Sequence, residues 1–145
     1  MTDVVNGTTV GVSASLPATF DATGYDALTF TTVGNVIDSN EVAVVDSIVE
    51  HQTLALNYPE KIKGTYNIPN LTLTIAKTVA DAGQVIVKAG KAATTSYSLK
   101  FVYPSTNQTE VTGKIIKASP GPLAANNIET MMVEVAIDPQ SVFES

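Results

Sequence analysis

A chain of 145 residues, 44% hydrophobic and 15% charged, has the length for one domain that buries roughly two thirds of its unfolded surface, and its composition excludes global disorder. Its eight basic residues are all lysines and its net charge is −6; without arginine, the residue suited to bidentate phosphate and guanine contacts, tight nucleic-acid binding is not expected. The absence of cysteine excludes a disulfide framework, thiol chemistry and a thiolate metal site, and fits a reducing compartment.

Residues 1 to 19 are rich in Thr, Ser, Gly and Val, lack useful periodicity and end near Leu16-Pro17, so an extended N-terminal arm over 1 to 20 is expected. Met1-Thr2-Asp3-Val4 opens no export signal and no run approaches a membrane span, which predicts a soluble, unexported polypeptide. A helical turn at Thr23 to Ala27 precedes a strand from Leu28 to Val33, ended by Gly34-Asn35. The stretch Glu41 to Tyr58 is rich in β-branched residues but alternates poorly, giving one or two strands before the break at Asn57-Tyr58-Pro59. Residues 57 to 70, with Gly64 and Pro69, read as a long connecting loop.

Leu71, Leu73 and Ile75 alternate with Thr72, Thr74 and Ala76, the pattern of a half-buried strand. Asp81 followed by Gln84 resembles an N-cap with its reciprocal partner, opening a helix on which Ala82, Val85, Ile86, Ala89, Ala92 and Ala93 fall at helical spacing, although Gly83 and Gly90 weaken it. Tyr97 to Tyr103 and Val111 to Ala118 form two antiparallel strands joined by a turn at Pro104 to Thr109. After Pro120-Gly121-Pro122, Met131, Val133, Val135 and Ile137 form the inward face of a last strand, and Asp138-Pro139 begins a C-terminal tail, 138 to 145. The fold class is mainly β: one domain over 1 to 145, a β-sandwich or barrel with one flanking α-helix, whose sheet edges must be covered or used.

Catalytic chemistry is not visible. His51 is the only histidine and has no cluster of ligands around it, so no metal site is expected. Gly11-Val12-Ser13-Ala14-Ser15 lacks the final glycine of a nucleophile elbow. Gly90-Lys91 lacks both the upstream glycine spacing and the Ser or Thr of a phosphate loop. No pair among the fourteen carboxylates is singled out for glycoside hydrolysis. No catalytic residue, cofactor-binding residue or cofactor follows from these residues.

The charges are sorted by position. Residues 1 to 60 hold eight acids and no base, residues 61 to 117 hold all eight lysines with only Asp81 and Glu110, and residues 118 to 145 hold four acids and no base. Blocks of opposite sign let one copy of a chain attract a different surface of the next, the head-to-tail geometry of rings and filaments, unless folding interleaves them.

The run Pro17-Ala18-Thr19-Phe20-Asp21-Ala22-Thr23-Gly24-Tyr25-Asp26-Ala27-Leu28-Thr29-Phe30, then Glu60-Lys61-Ile62-Lys63-Gly64-Thr65, then Asp81-Ala82-Gly83-Gln84, resembles the tail tube (major tail) proteins of long-tailed, non-contractile bacteriophages, in the right order over most of the chain. Phe30 departs from a position where relatives often place Trp. The resemblance implies a structural virion protein, not an enzyme, that self-assembles into hexameric rings stacked head-to-tail, a homo-oligomeric conduit for genome ejection. It also implies a tape measure protein and tail tip and terminator proteins as partners, and location in the virion tail, or in the host cytoplasm during assembly. DNA would pass without specific binding, and no membrane is involved. Four strands from each of six copies would close a barrel of backbone diameter about 48 Å, whose lining is expected to be polar and acidic. Leu16, Phe20, Tyr58, Lys61, Ile62 and Lys63 are the expected assembly residues, with Lys61 and Lys63 meeting acids of another copy. The alternative, from a different class, is a monomeric β-sandwich binding module of the adhesin type.

Overall fold

The computed structural model describes residues 7–40, 45–78, 80–121, 125 and 128–144. Its elements run β1 (Thr9–Ser13), α1 (Ala22–Asp26), β2 (Thr31–Val33), β3 (Val36–Ser39), β4 (Val45–His51), β5 (Glu60–Asn67), β6 (Leu71–Ala76), α2 (Ala82–Ala92), β7 (Tyr97–Val102), β8 (Gln108–Pro120), β9 (Thr130–Ile137), a 3-10 turn (Pro139–Ser141) and β10 (Phe143–Glu144). The chain is mainly β with a flanking helix, as its sequence pattern requires.

One antiparallel sheet runs β2-β1-β7-β8-β9-β6-β3, with β10 added against β8. β8 is its pivot: Gln108 to Gly113 pair with β7, Gly113 to Pro120 pair with β9, and the register shifts between Ile115 and Lys117. A bulged strand that changes partners lets one sheet turn a corner. The two halves share one core, in which Val12, Leu99 and Val111 of the first half join Leu73, Ile75 and Val133 of the second. Strict alternation explains β6 and β9, each buried at every second residue.

α2 covers this core through Val87 and begins as expected, with Asp81 Oδ2 accepting from the Gln84 amide at 3.0 Å. The reciprocal half of the capping motif does not form. Gln84 accepts from the Thr78 amide at 2.8 Å and donates to the carbonyls of Gly34 and Ala76, both at 3.0 Å, while Asp81 also accepts from the Gly34 amide at 3.1 Å. A buried amide that satisfies three backbone groups fixes the helix to the β2–β3 turn and to β6. Gly83 and Gly90, which weaken a helix in isolation, are where α2 touches the sheet: a Cβ at Gly83 would meet the Thr32 carbonyl and one at Gly90 would meet Ile115 and Tyr97.

Three expectations need correction. Within the arm expected over 1 to 20, Thr9–Ser13 is a strand between β2 and β7 with Val10 and Val12 in the core; Gly11 and the flanking Thr and Ser residues dilute its alternation. Gly11 sits close to Phe30, where an added Cβ would stand a tight 3.0 Å from that of Phe30. Within the connection expected over 57 to 70, Glu60–Asn67 is β5, paired antiparallel with β4. The tail expected over 138 to 145 is tied down, with Ser141 buried and Phe143 paired with Glu110. A second helix, the short α1, is capped by Asp21, whose carboxyl accepts from the Gly24 amide at 2.8 Å; chiefly that bond holds its pKa below the usual range. Among the described residues no helix is long and apolar enough to cross a membrane.

Candidate assembly interface

β4 and β5 form a two-stranded sheet of their own, inserted between β3 and β6, which are themselves antiparallel neighbours. Every residue of both strands is exposed. A hairpin of two strands is marginal in water without a third partner, and this one carries apolar side chains on both faces. Ile62 pairs with Val49 on one face. The other face carries Ile48 and Tyr66, with Leu54 and Tyr58 in the turn between the strands. Ile48 is 62% exposed, Tyr58 61% and Ile62 51%, values that describe a surface awaiting cover rather than scattered apolar residues.

The six expected assembly residues fall into two groups. Tyr58, Lys61, Ile62 and Lys63 belong to the hairpin; Leu16 and Phe20 lie exposed ahead of α1, where Phe20 leans on Tyr25 with ring centroids 6.5 Å apart. Sequence reading missed Val45, Ile48, Val49 and Tyr66. For Val45, Ile48 and Val49 the signal was the β-branched run without alternation, which is what a strand exposed on both sides leaves behind; Tyr66 lay in the segment read as a loop.

Both lysines have acidic neighbours within the hairpin. Lys61 Nζ stands 3.8 Å from Glu50 and Lys63 Nζ 3.6 Å from Asp46, while His51 Nε2 stands 3.2 Å from Glu60. Within the subunit the opposite charge blocks interleave on one hairpin face, Lys61 and Lys63 each standing across the strand pair from an acid. Exposed pairs of this kind contribute about 0–1 kcal/mol each. Reversing both, Lys61→Glu with Lys63→Glu, gathers four carboxylates on that face; thermal unfolding of the main sheet is expected to stay unchanged, while the hairpin splays and any self-association slows. Light scattering at low and at high salt reads this, and salt should restore part of the rate.

Two further edges are open. In the half-sheet β3-β6-β9-β8, among the described residues, the segment of β8 after Gly113 pairs with β9 alone and β3 with β6 alone. The β8 edge presents Lys114, Ile116 and Lys117, exposed, and the β3 edge presents Ile37 and Asp38, also exposed. Each edge offers unpaired backbone groups beside an apolar residue, and their charges are of opposite sign.

No family model matches the chain, and no curated protein sequence matches it. Solved structures do. A chain in the cryo-EM structure of the anti-feeding prophage baseplate, six-fold symmetrised, superposes with a TM-score of 0.70 at 10% identity, covering 100% of this chain and 96% of that one. A chain of the sheath/tube terminator of PVC, an extracellular contractile injection system, gives 0.69 at 10% identity over 100% and 97%. One from the PVC sheath-tube complex gives 0.66 at 10% identity over 98% and 90%. At this identity the likeness establishes the fold: this chain has, over its whole length, the fold of chains built into tail-like injection particles. The PVC assemblies are contractile injection systems, whereas the sequence resemblance named non-contractile tails.

Proposed function

We propose that the chain is a structural, tube-forming subunit of a tail-like particle, assembling with copies of itself into rings that stack head-to-tail. The observation that carries this reading is the β4–β5 hairpin, apolar on both faces and exposed along its whole length; its occupant is a second copy of the chain. The half-sheet edges support the reading. A β8 edge bearing Lys114 and Lys117 next to a β3 edge bearing Asp38 continues the sheet from copy to copy without any new fold.

A ring closed in this way turns one sheet face to its bore. The face of β6 and β9 opposite the core carries Thr72, Thr74 and Glu134, flanked by Asp38 on β3 and by Lys114 and Lys117 on β8. Two lysines against two acids make it electrically balanced rather than acidic, and such a surface has no excess charge with which to hold phosphates. The resemblance extends the reading to six copies per ring and a conduit for a phage genome. The contractile neighbours favour a second version, in which the same tube runs inside a sheath. Cross-linking in the intact particle separates the two: a sheath protein bound along the tube selects the second.

Negative-stain microscopy and sedimentation of the purified chain test the proposal. Rings or hollow tubes that grow with concentration are expected. A monomer at every concentration overturns it in favour of the adhesin-type binding module.

A further inference from the structure

The face of β7 and β8 turned away from the main core is covered by a second layer. Tyr25 of α1 lies over it, fully buried, its hydroxyl 3.0 Å from Thr112 Oγ1 and donating to the Ser141 carbonyl. The C-terminal strap, Asp138 to Glu144, runs along the edge of β8 next to this layer. Ser141 Oγ stands 2.9 Å from both the amide and the carbonyl of Thr112, the Asp138 amide donates to that same carbonyl at 2.9 Å, and β10 places Phe143 opposite Glu110.

Glu110 is buried beside the strap, with Phe143 as its cross-strand neighbour. It is 1% exposed, and its Oε2 has no hydrogen-bond partner. Lys100 is its cross-strand neighbour on β7, yet the Lys100 ammonium sits 5.5 Å from the centre of the Phe30 ring. The charged and titratable groups that face this layer are Lys100 from β7, Asp26 and the Tyr25 hydroxyl from α1, and Asp138 from the strap, while Glu144 lies opposite Thr109 on the other face; β1 brings Gly11 beside Lys100. No cluster of three possible metal ligands exists among the described residues, and Lys100 further disfavours a metal cation. The cation that fits the orphaned oxygen is a proton.

We propose that Glu110 is a proton-operated latch for the C-terminal strap: neutral, it lets β10 pair with β8 beside it, and ionised, it favours the state in which the strap detaches from β8 and water reaches the carboxylate. Burial, the largest cause, pushes the Glu110 pKa above its ordinary value of 4.5; Lys100 opposes this and Asp26 adds to it. The sign follows from proton counting. Between the ordinary value and the raised one, the closed state keeps a proton that the open state has lost, so closure weakens as pH rises through that window and is fully present below it. The latch belongs to the subunit and holds whether or not copies assemble.

Hydrogen exchange of the full chain, read by mass spectrometry across pH and normalised to unstructured-peptide rates, tests it. Protection of residues 108 to 113 and 138 to 144 is expected to fall by about ten-fold per pH unit within the window, the slope of one linked proton. Glu110→Gln should abolish the slope, and Lys100→Met should carry the decline to higher pH. Normalised protection that is flat with pH in the parent, or a slope that survives Glu110→Gln, overturns the proposal. Should Glu110→Gln fail to fold, the carbon-13 shift of the Glu110 carboxyl in the parent decides: titration above the ordinary glutamate range supports the latch, and titration at or below it refutes the latch.

Discussion

A chain lacking residues 1 to 15 is expected to lose its fold, recovered as insoluble material or as a soluble state without a cooperative thermal transition. The missing segment contains β1, in register with β7 through Val10 opposite Phe101 and Val12 opposite Leu99. Burying two valines is worth about 3–6 kcal/mol together, a large part of the roughly 5–15 kcal/mol that holds a domain of this size. The loss does not end there. β2 pairs with β1 alone, so Val33 goes with it, and α2 loses the strand against which Gly83 is fitted. Circular dichroism through a thermal ramp reads the outcome. Val12→Asp, which leaves the chain intact but puts a carboxylate at a fully buried position, should reproduce it. A truncated chain that melts like the parent would restore the reading of residues 1 to 20 as an arm outside the fold.

How much of this the sequence announced depends on how each strand meets its neighbours. β6 and β9 each bury one face against the core, and a half-buried strand writes itself as alternation; β7 keeps the alternation because its second covered face carries Ser98 and Lys100. β1 buries Val10 and Val12 but is five residues long, with Gly11 where Phe30 comes close, and two valines are too few to establish a period. The hairpin fails for the opposite reason. With neither face buried, Val45, Ile48, Val49 and Ile62 keep β-propensity without pattern, so β5 read as a loop. Tyr25 and Glu110 were illegible for a third reason. Tyr25 bonds residues 87 and 116 positions away, and no local spacing encodes such a layer.

Excising the hairpin, Val45–Asn67, and bridging the gap with a short Gly-Ser turn is expected to give a folded subunit with the parent's thermal stability that forms no tubes. The junction is geometrically sound. β3 and β6 are adjacent antiparallel strands, and Asn40 at the end of β3 already reaches β6, its amide group donating to the Asn70 carbonyl at 3.0 Å and its side-chain oxygen accepting from the Thr72 amide at 2.8 Å. Among the described residues the excised strands pair only with each other, so the core keeps its packing, and Ile68, which is buried, is retained. What disappears is the apolar surface on both faces. Ring edges on β3 and β8 would survive, so isolated rings without stacking are the expected residue of assembly in micrographs, beside a loss of the large species in sedimentation. Graded variants locate the effect further: Val49→Thr with Ile62→Thr removes the apolar pair of one face while keeping β-propensity, and should weaken stacking less than excision. Parent-like tubes from the excised chain would mean that the hairpin's exposed surface is covered by something other than another copy, and the tube reading would then rest on the sheet edges alone.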